Sequence, residues 1–424
     1  MDNLLEKDKE YIWHPFTPLE GSPDPIVISS AEGVYLHTPD GRKIIDAVSS
    51  WWVNLHGHSH PHIVKALSRQ ASILEHVIFA GFTHEPAIQL AKNLLSILPE
   101  NQSKIFFSDN GSTAVEVGLK MAFQYWHNQG IEKKKVIALQ GSYHGDTFGA
   151  MSVGGRGLFT EPYTSYLFET EFIDFPSAGE EERVVDQFKK FIKGNDVAVF
   201  IFEPLVQAAA GMRMYSAAVL DQLIELAQAN NVICLADEVF TGFSRTGKLF
   251  ASDYLKNKPD IISLSKGLTG GTMPLGVTAC SEKILSPYRT DDFSKTFFHG
   301  HSFTANPLAC AVSNASFELL MSPDCQGSIQ RITANHNRFK AEIMNHAAVK
   351  EVRVIGTILA LELKNDEGTS YTNSIRKKIY PFFLERGILL RPLGNVLYVL
   401  PPYIITDEEL VLIYTAIKEF INGL

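Results

Sequence analysis

The sequence predicts an α/β protein, with a large domain built on a mostly parallel β-sheet and a smaller α+β domain after it. Two observations lead to this fold class. Short apolar runs, each the length of a buried strand, alternate with amphipathic segments of helical length. After about residue 306 this alternation gives way to a long helical stretch followed by two strand-like runs.

A β-hairpin is expected first, because apolar runs at 34–36 and 44–45 flank the turn sequence Pro39-Asp40-Gly41. Amphipathic helices are then expected at 63–74 and 87–98. The apolar runs expected to form the main sheet lie at 105–107, 136–139, 197–202, 232–236 and 261–264. Strands of the smaller domain are expected at 352–356 and 358–363.

These elements suggest three parts of the chain. Residues 1–55 form an N-terminal segment that packs with the small domain. Residues 56–305 form the large domain, and residues 306–424 form the small one. The boundary is placed near the Asn306-Pro307 pair, where the pattern changes.

Net charge, cysteine spacing and the absence of long apolar segments argue against several classes of protein. The net charge of -9 argues against a nucleic-acid-binding protein, which usually carries a basic face. The four cysteines include no C-x-x-C pair, so neither a zinc cage nor a redox pair is expected, and no metal site is predicted. The N-terminus has no signal-peptide hydrophobic region, and no run approaches the roughly 18 apolar residues of a membrane span. A cytoplasmic protein is therefore expected.

Ligands of open α/β sheets bind beyond the carboxyl ends of the strands, so the polar residues that follow each run are candidate site residues. Gly111 and Ser112 follow the run at 105–107 and precede a helical pattern. Free N–H groups at a helix N-terminus favour a phosphate. The alternative is an ordinary capping box formed by Thr113 and Glu116.

Two further strand ends carry groups suited to a flat ring. Tyr143 and His144 lie between glycines after the run at 136–139, where they could stack on a ring or belong to an ordinary polar loop. Asp237 follows the run at 232–236. A carboxylate there needs a partner, which a protonated pyridine nitrogen would supply, although a helix cap or a structural ion pair would also do so.

Lys266 follows the run at 261–264 in the sequence Ser-Lys-Gly. Burial would lower the pKa of its amine and make it a nucleophile, whereas a lysine that reaches the surface would be inert. A phosphate cradle, a ring-stacking aromatic, a carboxylate for a ring nitrogen and a lysine nucleophile are together what a pyridoxal-phosphate (PLP) site requires.

Four longer segments carry a resemblance to a known family: ADEVFTGFSRTGKLFA (236–251), SLSKGLTGG (263–271), GSYHGDT (141–147) and HGHSFTANPLACA (299–311). Over nearly the whole chain the sequence resembles the class III (subgroup II) PLP-dependent aminotransferases of PLP fold type I. The resemblance implies that Gly111 and Ser112 hold the phosphate, that Tyr143 faces the ring and substrate, that Asp237 pairs with the pyridine nitrogen, and that Lys266 attaches the cofactor.

Within this family, the segments WHPF (13–16), SSWW (49–52) and RPLGNVLYVLPPY (391–403) resemble the branch that serves biotin biosynthesis. The resemblance implies amination of 8-amino-7-oxononanoate to 7,8-diaminononanoate. It also implies a homodimer with shared active sites and small molecules as the other partners. The substrate-site residues it implies are Phe16, Trp51, Tyr143, Lys266, Gly300 and Arg391. The residues it implies to reach the cofactor across the subunit contact are His301 and Ser302.

Two departures from the family pattern leave the amino donor open. Phe16 replaces the usual tyrosine, and His301 replaces a common proline. S-adenosyl-L-methionine is the expected donor, and lysine is the alternative. Another ω-amino-acid aminotransferase is a second alternative. A non-catalytic PLP-binding regulator is a third, although the chain shows no basic helix-turn-helix extension and keeps both Lys266 and Asp237.

Overall fold

A computed structural model describes residues 2–424 of the protein and has the α/β architecture expected from the sequence. The strands are β1 (Ser30–Glu32), β2 (Tyr35–His37), β3 (Lys43–Asp46), β4 (Gln102–Ser108), β5 (Lys135–Leu139), β6 (Glu171–Ile173), β7 (Val197–Phe202), β8 (Val206–Gln207), β9 (Arg213–Met214), β10 (Ile233–Asp237), β11 (Ile261–Leu264), β12 (Gly276–Ser281), β13 (Val349–Ile355), β14 (Ile358–Leu363), β15 (Ile388–Leu389) and β16 (Val396–Val399). The helical segments are α1 (Asp2–Tyr11), α2 (Ser49–Trp52), α3 (Pro61–Ala71), α4 (Glu85–Leu95), α5 (Gly111–Asn128), α6 (Phe148–Val153), α7 (Glu181–Ile192), α8 (Ala217–Ala229), α9 (Glu282–Leu285), α10 (Pro307–Leu320), α11 (Pro323–Ile343), α12 (Arg376–Glu385) and α13 (Asp407–Asn422).

The main sheet has seven strands in the order β4-β12-β11-β10-β7-β5-β6. All five strands predicted from apolar runs are present and run parallel to one another, because β12 is antiparallel to both of its neighbours, β11 and β4. The mostly parallel sheet is thus confirmed. Strands β6 and β12 were not predicted.

Helices cover both faces of the main sheet, which explains why its central strands are apolar throughout. One face packs against α5 through side chains such as Val115, Leu119 and Ala122. The other face packs against α7 and α8 through side chains such as Phe188 and Leu223. Of the helices described from Asp2 onward, none is both long enough and apolar enough to cross a bilayer.

The predicted hairpin is formed by β2 and β3, which pair with Tyr35 opposite Ile45. Strand β3 also pairs in parallel with β15, so the N-terminal region shares a sheet with the C-terminal one. Strands β13, β14 and β16 form an antiparallel sheet, as expected of an α+β region.

The predicted helices at 63–74 and 87–98 correspond to α3 and α4, but both begin earlier and end three residues sooner. His60 and His84 cap them: each ring accepts a hydrogen bond from a backbone N–H in the first turn, and a proline follows within two positions. The helical stretch expected after residue 306 is two helices, with Ser322 capping the second.

Candidate active site

The strand-end segments singled out in the sequence converge on one cavity of about 640 Å³. It lies where β5, β7, β10 and β11 end and α5 begins. The predicted site residues that line it are Gly111, Ser112, Tyr143, Asp237 and Lys266. These five residues come from four distant parts of the chain. The strand-end rule, that ligands bind beyond the carboxyl ends of the strands, therefore correctly predicted that these residues lie around one cavity.

Lys266 lies deep in this cavity, directly after β11. Its Nζ atom is 4.6 Å from the centre of the Trp52 ring and 5.7 Å from that of Phe240. Burial lowers the pKa of Lys266 to about 8, although the nearby carboxylates of Asp237 and Glu203 act in the opposite direction. A neutral amine is therefore accessible near physiological pH, as the nucleophile hypothesis requires.

Asp237 ends β10, which is paired in parallel with β11, so it lies beside the segment that carries Lys266. One carboxylate oxygen is 2.7 Å from His144 Nδ1, and the other accepts the Val239 N–H at 3.1 Å. The carboxylate is almost fully buried but still borders the cavity. His144 therefore orients a carboxylate, a role that differs from the ring stacking suggested for it by the sequence.

Glu203 was overlooked in the sequence, although it directly follows β7, much as Asp237 ends the neighbouring strand β10. It accepts hydrogen bonds from the Tyr143 N–H at 2.9 Å and the Ala208 N–H at 3.1 Å. Burial raises the pKa of Glu203 to about 7. Its carboxyl group thus fixes the backbone that presents Tyr143, and the same strand-end rule would have found it.

Glu238 shows what a structural carboxylate looks like in the same segment. It is fully buried, and accepts hydrogen bonds from Thr241 Oγ1 at 2.6 Å, the Ser252 N–H at 2.7 Å and the Ala251 N–H at 3.0 Å. It does not appear among the described residues that line the cavity. The adjacent Asp237 is the one directed toward the site.

The N-terminus of α5 forms the wall expected to hold an anion. Helix α5 begins at Gly111, where a Cβ atom would lie 2.7 Å from Val239 Cγ1. The Asp146 N–H donates to Ser112 Oγ at 3.2 Å, and a Cβ on the neighbouring Gly145 would lie 2.0 Å from that oxygen. Only glycine fits these two positions, and backbone N–H groups can therefore approach an anion closely.

The alternative capping box formed by Thr113 and Glu116 is wrong. The N-cap is Asn110, whose side chain accepts the Thr113 N–H at 3.0 Å, and the Thr113 hydroxyl accepts the Asn110 N–H at 3.1 Å. Glu116 instead binds the next loop, accepting the Thr147 hydroxyl at 2.5 Å. This arrangement leaves the first turn of α5 facing the cavity.

The outer end of the site is built on an unusual turn at Ser49–Trp52. All four residues have positive φ angles, 51°, 44°, 70° and 74°, although none is glycine. A left-handed conformation costs L-residues about 1–2 kcal/mol each, so the surrounding structure must impose it. The turn places Trp52 against Lys266 and Trp51 against Arg391, with Arg391 Cζ 4.6 Å from the centre of the Trp51 ring.

Phe16 completes this outer wall. Its ring packs edge-on against Trp51, with the centres 5.6 Å apart. It also contacts Phe159, which in turn contacts Tyr371. The predicted substrate residues Phe16, Trp51 and Arg391 are thus brought together, and Phe159 and Tyr371 are neighbours that the sequence did not indicate.

The family model described as Aminotransferase class-III matches residues 18–421 of the chain. The chain belongs to the class-III aminotransferase family. The resemblance inferred from the sequence is therefore confirmed. The fold agrees, because an amine transaminase from an uncultivated Pseudomonas species, solved in its PLP-bound form, aligns with a TM-score of 0.90 and 29% identity over 96% of this chain and 97% of that one.

Other similar proteins share a more specific name. The adenosylmethionine-8-amino-7-oxononanoate aminotransferase of Synechococcus elongatus is 47% identical over 97% of this chain and 98% of its own length. The protein of that name from Helicobacter pylori is 35% identical over 100% and 98%. A crystal structure of the one from Methanocaldococcus jannaschii aligns with a TM-score of 0.95 and 36% identity, over 100% of this chain and 99% of that one.

Six predicted residues of this class-III aminotransferase are not among the described residues that line the cavity: Phe16, Trp51 and Arg391, which are linked by contacts with Trp51, and three residues at 300–302. Gly300, His301 and Ser302 lie in a loop, and the described residues that line the cavity do not include them. The loop is held locally by the His301 N–H, which donates to Thr304 Oγ1 at 3.1 Å. Their predicted roles require a second copy of the chain.

Proposed function

We propose that this class-III aminotransferase binds PLP in the 640 Å³ cavity and aminates 8-amino-7-oxononanoate to 7,8-diaminononanoate in biotin biosynthesis. The observation that carries this proposal is the full-length similarity, at 47% identity, to a relative named for that acceptor. The site supports it, because Lys266 and Asp237 border one cavity, and Arg391 packs on Trp51, the neighbour of the cavity-lining Trp52.

The cavity fits the cofactor. Gly111 and Ser112 would hold the phosphate at the N-terminus of α5, where added Cβ atoms would close the cradle. Asp237 would bind the protonated ring nitrogen, and Lys266 would attach the cofactor. When bound, PLP supplies an electron-withdrawing ring that stabilises negative charge on the amino-bearing carbon of the substrate.

The protein's own groups perform the remaining work. Lys266 has a pKa of about 8, so its neutral amine can accept a proton from the substrate carbon and its ammonium can return it. Asp237, held by His144, would keep the ring nitrogen of bound PLP protonated. Tyr143 borders the same cavity, and Glu203 fixes its backbone, which supports a role for the aromatic ring beside the bound cofactor and substrate.

Arg391 is the proposed anchor for the substrate carboxylate. A guanidinium can grip a carboxylate with two parallel hydrogen bonds, and the Trp51 ring holds its flat face. The aliphatic chain of the acceptor would pass between Trp51 and Tyr143. Phe16 lies beside Trp51 and would contact either the acceptor or the donor.

S-adenosyl-L-methionine is the proposed amino donor, since the names of the similar proteins specify it. The test is a single-turnover experiment in which the holoenzyme is mixed separately with S-adenosylmethionine and with lysine. Conversion of the PLP form to its pyridoxamine form with S-adenosylmethionine alone supports the proposal. Conversion with lysine alone would reject the donor. Failure of both 8-amino-7-oxononanoate and 7,8-diaminononanoate to react would reject the acceptor.

We also propose a homodimer in which Ser302 binds the phosphate in the partner's site. The loop around it carries exposed aromatic side chains, with Phe298 59% and Phe303 61% accessible, and an apolar surface of this kind favours association. Mixing a Ser302→Ala variant with a Lys266→Ala variant tests this. A shared site would give mixed dimers with one intact site, so activity and cofactor affinity should exceed those of either variant. A monomer, or no gain on mixing, would contradict it.

The proposed division of the chain is a large domain at 56–305 and a small domain at 306–424, with the N-terminal segment 1–55 packed against the small domain. Two contacts support the last point. Strand β3 pairs with β15, and the Leu400 N–H donates to the Ala47 carbonyl at 2.8 Å. Arg391 would then move with the small domain relative to Lys266. After limited proteolysis at both boundaries, the fragment 1–55 should remain associated with 306–424, and its co-purification with 56–305 instead would contradict this division.

A further inference from the structure

We propose that Asp46 and His58 are positioning residues that hold the left-handed Ser49–Trp52 turn, and that this turn sets the spacing between the Lys266 amine and the Arg391 guanidinium. Through this spacing, the turn selects substrates by the length of the chain between the reacting carbon and the carboxylate. The selection rests on the proposed function, because it takes Arg391 as the carboxylate anchor.

The turn is strained, and two of its strained residues contact the proposed functional groups. Four successive non-glycine residues with positive φ angles are rare, because the left-handed region brings the Cβ atom too close to the backbone. Such a segment persists only where its surroundings determine it completely. Here the two residues with the largest φ angles are Trp51 and Trp52, the residues that contact Arg391 and Lys266.

Asp46 supplies the largest set of bonds to this turn, and it is fully buried. One carboxylate oxygen accepts the Ser50 N–H at 2.9 Å and the Val48 N–H at 3.3 Å. The other accepts the Ser50 hydroxyl at 2.7 Å and lies 2.9 Å from His58 Nε2. A buried carboxylate with every oxygen bonded resists rotation, so Asp46 fixes both the backbone and the side chain of Ser50.

His58 holds the carboxylate from the other side. Its Nδ1 atom lies 3.3 Å from Asn54 Nδ2, which belongs to the segment that leaves the turn. The entry to the turn, through Asp46, and its exit, through Asn54, are thereby linked by one imidazole. The turn is closed by its own backbone as well, since the Val53 N–H donates to the Ser49 carbonyl at 2.9 Å.

The turn is also tied to the strand that follows Arg391. Ser49 Oγ donates to the Leu400 carbonyl at 2.7 Å, and Trp52 Nε1 donates to the Tyr398 hydroxyl at 3.0 Å. A change of the turn to a right-handed conformation would break these bonds and turn both indole rings. The two indole rings that lie between the Lys266 amine and the Arg391 guanidinium would then no longer hold these groups at a fixed distance.

The test uses Asp46→Ala in the holoenzyme, with hydrogen exchange of a peptide that covers residues 47–57 as a readout independent of activity. We expect faster exchange of the backbone amides in the turn, with cofactor content unchanged. The KM for 8-amino-7-oxononanoate should rise on the order of ten- to a hundredfold, since a misplaced anchor removes the productive geometry. The preference for this acid over an analogue one methylene shorter should fall by a similar factor, while kcat changes less.

A second variant, Asp46→Ala/Ser50→Gly, distinguishes a positioning role of Asp46 from a general contribution to stability. Glycine adopts the left-handed region without steric cost, so Asp46→Ala/Ser50→Gly should recover a large part of the KM and of the length preference. A general loss of stability would instead be made worse by glycine. Glu318→Ala is the matched control, because it removes a histidine–carboxylate pair, His62 with Glu318 at 2.7 Å, away from the cavity.

Unchanged exchange in Asp46→Ala, or failure of the glycine to restore the length preference, would overturn the inference. Failure of the proposed function gives a different pattern. If the unaltered enzyme does not use 8-amino-7-oxononanoate, length selection for this acid is rejected, and the exchange of the turn in Asp46→Ala still decides whether Asp46 holds it.

Discussion

The inner and outer ends of the candidate site are built in different ways. The inner end consists of side chains that follow parallel strands of one sheet, so Lys266 and Asp237 are placed by regular backbone pairing. The outer end consists of Phe16, Trp51 and Arg391, which come from an N-terminal segment, a strained turn and the C-terminal region. Related enzymes could therefore keep the inner residues, and with them the reaction, while substitutions at the outer end change the substrate.

The largest expected effect lies at the inner end. Lys266→Ala should reduce kcat on the order of 10⁴-fold, because the group that moves the proton is removed. Borohydride should fix the cofactor to the peptide that contains Lys266 in the unaltered enzyme and to none in the variant. Lys418→Ala, which removes an exposed lysine on α13, is the control and should behave normally. Label on a different lysine would contradict the assignment.

Asp237→Asn should leave the cofactor bound and reduce turnover on the order of 10²–10³-fold, as for the loss of one well-placed electrostatic contact. A neutral amide cannot hold the ring nitrogen protonated. Cofactor content measured beside kcat separates this effect from loss of binding. Near-normal turnover would leave Asp237 with a structural role only.

The ease of prediction also differs between the two ends. At the inner end, polar residues after strands could be found in the sequence because buried parallel strands are apolar runs. Glu203 also follows such a run and could have been found in the same way, although it was overlooked. Strand β12 contains Thr278 and Ser281 and runs antiparallel, so it gave no comparable signal.

The outer end could be recognised only by family resemblance. The sequence Ser-Ser-Trp-Trp predicts no left-handed turn, because no residue in it favours positive φ. The bonds that hold the turn come partly from the buried Asp46 nearby and partly from residues about 350 positions away, such as Leu400, and the four-residue sequence indicates neither set. The role of the loop at 300–302 is harder still to predict from the residues alone, because the phosphate that it is proposed to bind lies in the site of another copy of the chain.

At the outer end, Arg391→Leu should chiefly raise the KM for 8-amino-7-oxononanoate. A hydrogen bond to a charged group contributes roughly 1.5–3 kcal/mol, which corresponds to about ten- to a hundredfold or more. The half-reaction with a small amine donor that lacks a carboxylate is the internal control and should change little. An equal loss in both half-reactions would mean that Arg391 supports the site rather than the substrate.

The smallest predicted effect is a pH dependence at the inner end. Burial lowers the pKa of Lys266 to about 8, so the neutral amine that captures the cofactor becomes the major form above that pH. The rate at which the apoprotein takes up PLP should therefore rise about tenfold from pH 7 to pH 9 and then level off. Stopped-flow absorbance would follow the uptake.

Glu203 is one of the carboxylates that raise the pKa of Lys266, so Glu203→Gln should move the midpoint of this pH profile to lower pH. A rate that continues to rise toward pH 10.5, as for an exposed lysine, would show that Lys266 is not desolvated. A midpoint unmoved in Glu203→Gln would show that the Glu203 carboxyl does not act on this amine.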